Sequence, residues 1–335
     1  MNAVSQKDIA DALNVSRVTV TKALKDHPDI AMETKLKVKN LAEKMGYIPS
    51  RVAQSLNRQR TNTIGLVIPK IAHSFFSQAV ELFYEEAHEH GFELIPMISF
   101  EDSKNEEKAI KTLLSMRVDA LIIDLAGSSQ DSLFFEKLEK LGIPFIFFDR
   151  CPKENAHSSV IINDYLAAYE ATIVGLKKGY KRPMHFSGPD EINIGAQRKK
   201  GFLDALKKSE TKYPESSIAE SGFTEKGGYK TFLRITDLGL NPDFVLAVND
   251  SVAHGIYRAA EELGISIPNQ LGVIGFGDIE TSKMLNPALT TVRLPLKEMV
   301  RDTMKIIVNK LTIPSPKALN NEPFTSELIV RGSLK

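Results

Sequence analysis

The sequence predicts an α/β protein: two doubly wound parallel-sheet subdomains behind a small all-α head. Three observations carry this. From residue 63 onward, short uninterrupted apolar runs alternate with helical stretches, as buried parallel strands and their covering helices do. The alternation falls into two successive series. Residues 1–60 lack it and differ in charge, with 11 lysines and arginines against 6 acids (net +5), while the rest carries 32 against 36 (net −4). A basic head on an acidic body points to a polyanionic partner for the head alone. A length of 335 residues with 42% hydrophobic content allows two or three domains, each with its own core.

The head is read over residues 1–46. Residues 5–13 form a first helix with Ile9, Ala10 and Leu13 inward. Asn14-Val15-Ser16 makes the turn: Asn14 tolerates a left-handed backbone, and Ser16 can cap the next helix. That second helix spans 17–24 with Val20, Ala23 and Leu24 inward, leaving Arg17, Val18, Thr21 and Lys22 on the opposite stripe. A third runs from about 32 to 45, burying Leu36, Leu41 and Met45, and stops at Gly46; Ala31 is a poor cap for it. Three short helices with a tight first turn make a helix-turn-helix. Its second helix is suited to the major groove of DNA. There Arg17 can take a guanine edge bidentately, Val18 can touch a thymine methyl, and Lys22 can reach guanine or phosphate. Ser16, Thr19, Thr21 and Tyr47 are candidate backbone contacts.

Residues 47–62 link head to body. Pro49 blocks extension of the preceding helix, Ser50 is a good N-cap, and 51–57 read as a two-turn helix carrying Ala53 and Leu56 on one face. Arg51, Arg58 and Arg60 flank Leu56. Basic residues around an exposed leucine suggest a helix that forms on binding, its leucine wedged between base pairs in the minor groove. A linker helix with a buried leucine is the alternative.

In the body, strands are expected at 63–69, 92–98, 119–125 and 144–149, then in a second series at 159–162, 183–187, 244–249 and 273–276. Ligands of such sheets sit at the carboxyl ends of strands. Polar residues cluster there: His73 and Ser74, Asp149 and Arg150, Asn163 and Asp164, Asn249 and Asp250. Their recurrence in both series favours a cleft between two lobes, although each alone suits a helix cap.

Together these segments resemble the lactose-repressor (LacI/GalR) family of bacterial transcription regulators over essentially the whole chain. Lys7-Asp8-Ile9-Ala10, Tyr47-Ile48-Pro49 and Arg51-Val52-Ala53-Gln54-Ser55-Leu56 match the family's head and hinge. Phe147-Phe148-Asp149-Arg150, Arg198-Lys199-Lys200-Gly201-Phe202, Ala247-Val248-Asn249-Asp250 and Pro287-Ala288-Leu289-Thr290-Thr291-Val292 match its core. The resemblance implies a homodimeric repressor whose heads read a pseudo-palindromic operator in double-stranded DNA. Arg17, Val18, Lys22 and the hinge Leu56 would meet bases, and Ser16, Thr19, Thr21, Tyr47, Ser50 and Ala53 the backbone. It implies a core like a periplasmic binding protein, with residues 63–162 plus 293–324 in one subdomain and 163–292 plus 325–335 in the other. A small-molecule effector, most simply a carbohydrate, would lie between them. Arg198, Asp149 and Asn249 would be polar contacts beside His73 and Ser74, with Phe75, Phe76 and Phe223 as walls. Three departures bear on effector identity. Gly277 stands where members usually carry a carboxylate, with acid returning only at Asp278. Leu294 stands where many carry glutamine, and Ile192 where purine-binding members carry arginine.

Other chemistries lack their signatures. There is no G-x-G-x-x-G, no phosphate-binding loop, no metal spacing and no second acid or base placed near Asp149, so no cofactor, metal or enzymatic role is expected. His88 and His90 fall on different helix faces, and a single cysteine, Cys151, excludes an intramolecular disulfide. With no basic-apolar leader and no apolar run near 18 residues, a cytoplasmic protein without membrane contact is expected. The rival class is an enzyme or solute-binding protein of the same two-lobed fold with an accessory head.

Overall fold

The computed structural model describes residues 4–47, 60–127, 132–154, 157–209, 217–312 and 322–335. The chain forms two compact units, Met1–Thr61 and Asn62–Lys335.

The first unit holds α1 (Gln6–Leu13), α2 (Arg17–Leu24) and α3 (Met32–Lys44). Ser5 and Asp8 cap α1 reciprocally: the Ser5 backbone N–H donates to the Asp8 carboxylate at 2.7 Å, and the Asp8 N–H to Ser5 Oγ at 3.4 Å. Asn14 adopts the left-handed conformation at φ 51°, and Ser16 Oγ accepts from the Thr19 N–H at 3.0 Å. Ile9, Ala10, Val20, Ala23, Val38 and Ala42 are buried together. Leu36 does not join them and is 55% exposed. The inward stripe of α3 is Val38, Leu41, Ala42 and Met45, spaced at i, i+3, i+4 and i+7, and Leu36 lies about two residues' rotation off it. Ala31 makes no side-chain cap bond.

The second unit contains two sheets. The first has strands β1 (Thr63–Ile68), β2 (Glu93–Ile98), β3 (Ala120–Ile123), β4 (Phe145–Phe148) and β5 (Ser159–Val160), in the order β2-β1-β3-β4-β5, all parallel. Helices α4 (Ser74–Glu89), α5 (Ser103–Ser115) and α6 (Ser132–Lys140) connect its first four strands. The second sheet has β6 (Pro183–Ser187), β7 (Ile218–Glu220), β8 (Phe244–Ala247), β9 (Gly272–Phe276), β10 (Thr290–Arg293) and β11 (Glu327–Ile329), in the order β11-β10-β9-β8-β6-β7. Its helices are α7 (Asp164–Lys177), α8 (Asn193–Lys208), α9 (Glu225–Asp237), α10 (Asp250–Glu262) and the short α11 (Glu280–Met284).

Three features differ from the expectation from sequence. The 159–162 strand, grouped with the second series, pairs instead with β4 of the first sheet, Phe147 opposite Ser159. Strand β11 is antiparallel to β10, so the second sheet is mixed. Strands β7, β10 and β11, the short α11 and the long helix over Leu296–Thr312 have no counterpart among the expected elements; strands of three or four residues and a single-turn helix carry too few residues for a periodic signal, which does not account for the long helix. The chain passes between the sheets more than once. After β10 it enters α12 (Leu296–Thr312), whose Met299, Val300, Met304, Ile306 and Ile307 pack against Ile64, Leu66, Phe83 and Phe148 of the first sheet's layer. Among the described residues, no helix is long and apolar enough to cross a membrane.

Candidate functional site

The carboxyl ends of the two sheets face one cleft. The first sheet's side contributes His73, Phe75 and Phe76, from the start of the helix after β1, and Asp149 and Arg150, next in the chain after β4. The second contributes Ile194 and Arg198 of α8, Asn249 after β8, and Phe276 and Gly277 at the end of β9; Leu294, in the crossover after β10, lines the cleft while packing with the first sheet's layer. Of the residues singled out from sequence, His73, Phe75, Phe76, Asp149, Arg198 and Asn249 line this space. Ser74 and Phe223 do not. Ser74 opens α4, where its carbonyl accepts from the Ser77 hydroxyl at 3.1 Å. Phe223 is buried beneath the Arg150 guanidinium, 4.1 Å from its ring centre.

Arg198 is almost fully buried and is held on three sides. Its Nε and Nη2 meet Asp164 Oδ1 at 2.8 and 2.7 Å, Nη1 donates to the Val248 carbonyl, and the guanidinium lies 4.1 Å over the Phe276 ring. Burial of Asp164 outweighs the attraction of Arg198 and pushes its carboxyl up to about 6. Asp149 sits at a left-handed φ of 57°, which turns its side chain off the strand end. Asn193 Nδ2 donates to its carbonyl at 3.1 Å, while the buried Oδ1 has no hydrogen-bond partner among the described residues. Burial raises this carboxyl too, against the pull of Arg198 and Arg150.

Arg150, known from sequence only as a strand-end polar residue, is a full member of the wall. Its Nη1 lies 3.0 and 3.1 Å from the two Glu101 oxygens and 3.3 Å from the Leu125 carbonyl, and its Nε is 3.7 Å from Asp124. Its guanidinium lies between Phe223 of the second lobe and Phe76 of the first, 5.2 Å from the latter's ring centre. His73 precedes α4 without capping it by its side chain. Its ring tilts on Phe76 at 5.1 Å, its Nδ1 is partnerless among the described residues, and burial with the Arg150 charge depresses it to about 4. It is a neutral imidazole at pH 7.

Asn249 both caps and anchors. Its Oδ1 accepts from the Val252 N–H at 2.8 Å, and its Nδ2 donates to the Phe223 carbonyl at 3.0 Å. Asp250 beside it builds the wall from behind, accepting from the Thr291 hydroxyl (2.5 Å), the Ser282 hydroxyl (2.8 Å) and the Ile279 N–H (3.0 Å). A Cβ at Gly275 would come within 2.2 Å of Asp250 Oδ1, so only glycine fits there. Asp278 does not replace the missing cleft carboxylate: Arg293 Nε binds it at 2.7 Å and Arg331 closes its other side. Ile192 is fully buried and contributes nothing to the lining.

On the head, Arg17 is exposed and Val18 is 63% exposed. Lys22 reaches Asp29 at 2.8 Å. Ser16 and Thr19 share a 2.8 Å hydroxyl contact, and the Thr21 hydroxyl lies 2.7 Å from Gln6 Oε1, joining α2 to α1. Tyr47 packs partly on the head's core. Ser50, Ala53 and Leu56 lie outside the described residues. Among the described residues, no cluster of histidine, cysteine, aspartate or glutamate could hold a metal ion.

The comparisons agree with this architecture. Residues 61–322 match the family model described as periplasmic binding proteins and sugar binding domain of LacI family, and residues 5–50 match bacterial regulatory proteins, lacI family. The chain is 26% identical over 333 residues to the HTH-type transcriptional repressor CytR of Escherichia coli (strain K12), covering 99% of this chain and 97% of that one. It is 26% identical over 330 residues to the ribose operon repressor of the same strain, covering 98% and 99%. The solved lac repressor dimer bound to operator and the anti-inducer ONPF superposes with a TM-score of 0.85 at 22% identity, covering 99% of both chains. A helix-turn-helix head joined to a two-sheet core with a cleft at its strand ends, matched along nearly its whole length, belongs to the LacI family of DNA-binding transcriptional regulators.

Proposed function

We propose that this regulator acts as a cytoplasmic homodimeric repressor on a pseudo-palindromic operator, and that a carbohydrate in the cleft sets its affinity for DNA. The observation that carries the reading is the cleft: buried, fixed polar groups of both lobes converge there at the strand ends. Lobe closure around a ligand changes the spacing of the paired hinges, and by linkage DNA alters ligand affinity by the same factor. In this reading residues 63–162 with 293–324, and 163–292 with 325–335, are the two lobes. Arg198, Asp149, Asn249 and His73 orient the ligand, and Phe75 and Phe76 pack on it. The cleft carboxylates are tied to arginines or buried without a partner base, an arrangement suited to binding rather than catalysis.

On the head, Arg17, Val18 and Lys22 read bases, and Ser16, Thr19, Thr21, Tyr47, Ser50 and Ala53 set register on the backbone. Lys22 exchanges Asp29 for DNA when it does so. The test is selection of random duplexes by the full-length protein, followed by titration of the enriched site. A two-fold symmetric site is expected. Arg17→Ala should weaken binding about ten-fold or more and relax preference at one base pair per half-site. Leu56→Ala should weaken it several-fold with the dimer intact. A site without symmetry, or equal affinity for the Arg17 variant and wild type, overturns the assignment. The enriched duplex then serves as the probe for a sugar screen, in which a sugar that shifts the titration is the expected effector.

A further inference from the structure

We infer that Arg150 and Phe223 form a clasp that joins the two lobes through protein groups alone, and that a ligand enters the cleft only by parting it. This rests on the reading that the effector lies between the lobes. Arg150 belongs to the first lobe and Phe223 to the second. The guanidinium carbon lies 4.1 Å from the centre of the Phe223 ring, and both residues are buried. A guanidinium on an aromatic face is attracted more strongly when the pair is out of water.

Each half of the clasp is fixed within its own lobe. Glu101, Asp124 and the Leu125 carbonyl, all of the first lobe, hold Arg150 from behind. Glu101 reaches it from a left-handed backbone at φ 59°, after Phe100 at φ 56°, and its Oε2 also accepts from the Gly127 N–H at 2.8 Å. Two successive non-glycine residues in that region make a strained turn, which persists only where the packing around it dictates the backbone. Phe223 is anchored by its carbonyl, which accepts from Asn249 Nδ2 at 3.0 Å, and by Thr224, which caps α9 directly after it. Its ring lies against a glycine of each lobe. A Cβ at Gly188 of the second lobe would run into it, and one at Gly127 of the first would come within 3.2 Å. Two rigid halves meeting in this way make a contact that is either formed or broken.

The clasp and a ligand compete. With the clasp formed, the free space of the cleft is about 30 Å³, enough for about two waters and too little for a sugar ring. A ligand must move the lobes apart, and so draw the guanidinium off the ring, before the lobes close on it instead. Weakening the clasp therefore shifts operator affinity in the direction that effector does, with no effector present.

The experiment is hydrogen exchange and operator titration, without any sugar, on the full-length protein carrying Phe223→Leu or Gly127→Val. Leucine keeps apolar bulk but offers the guanidinium no aromatic face, and valine pushes on the ring from the opposite lobe. Phe223→Leu is expected to speed amide exchange over 121–127 in the first lobe about three-fold or more, and Gly127→Val to do the same over 218–224 in the second. Both variants should change operator affinity about three-fold or more and in the same direction. Exchange that rises only in the substituted lobe would mean that the ring packs for its own lobe, and overturns the clasp. Exchange that rises across the cleft while operator affinity stays level, or moves in opposite directions in the two variants, overturns its regulatory role. The exchange result decides the clasp even for a protein that enriches no symmetric duplex, so failure of the repressor reading and failure of the clasp are told apart.

Discussion

Arg198→Leu is expected to remove about 3–5 kcal/mol of folding stability and to leave operator binding unresponsive to effector. The cost comes less from the lost attraction than from what stays behind. Asp164 is 3% exposed, its bonds come from Arg198, and without that guanidinium a buried carboxylate has neither charge nor donor. The Val248 carbonyl and the Phe276 ring lose their partner as well. Two controls separate this account from a simple loss of packing. Arg198→Leu with Asp164→Leu should recover most of the stability, because an apolar pair of similar volume replaces a buried ion pair at little cost. The single variant should also be less damaged in acid. Asp164 already titrates near 6, above its ordinary 3.8, and without Arg198 it rises further. A raised carboxyl contributes stability that is full below 3.8 and is lost as pH rises through its folded value, so the deficit should shrink between pH 7.5 and pH 5. Urea unfolding at the two pH values measures all of this. A double variant no more stable than the single one would contradict the orphaned-charge explanation.

Asp250→Asn should change the pH dependence of stability more than stability itself at any one pH. Burial pushes Asp250 up to about 6, against the lowering effect of the Thr291 and Ser282 hydroxyls and the Ile279 N–H. Its folded value exceeds the unfolded one, so wild type gains from a neutral Asp250 below about pH 4 and loses that gain as pH climbs through 6. Two pH units correspond to about 3 kcal/mol, and asparagine does not titrate. The stability of wild type relative to the variant is therefore expected to fall by about 3 kcal/mol between pH 4 and pH 7.5. His73 and His185, both depressed to about 4, titrate in the opposite sense but are common to both proteins and cancel in the difference. The variant keeps one oxygen for Ile279, and the serine and threonine hydroxyls can rotate toward its amide. A difference that stays level across this range would mean that Asp250 is ionised in the native protein even at pH 4, with no raised folded value. The result bears on function because Asp250 fixes the turn that carries Gly277 along the cleft wall.

The sequence by itself determined what depends on neighbours in the chain. Asn14 and Ser16 marked the turn and cap of the head, because a left-handed residue and a hydroxyl act within three or four positions. Uninterrupted apolar strands specified buried parallel sheets, and the rule that ligands sit at strand ends, with the family's motifs, led to His73, Asp149, Arg198 and Asn249. Gly277 and Leu294 were legible as missing polar partners, and both line the cleft. Only the tertiary structure decided which charged groups pair. Asp278 looks available to the cleft in the sequence but is bound by Arg293 and by Arg331, 15 and 53 residues away, because β10 and the segment after β11 bring both arginines to it. Arg150 became a wall of the cleft only through Glu101 and Asp124 behind it and Phe223 from the other lobe. Phe223 in turn spends its face on that guanidinium rather than on the open cleft. Leu36 has the spacing of a core residue for one choice of helix face and not for the other, and the packing of α1 and α2 made the choice. Hydrophobic periodicity is a property of the local chain, whereas a charge or an aromatic face goes to whichever partner the fold delivers first.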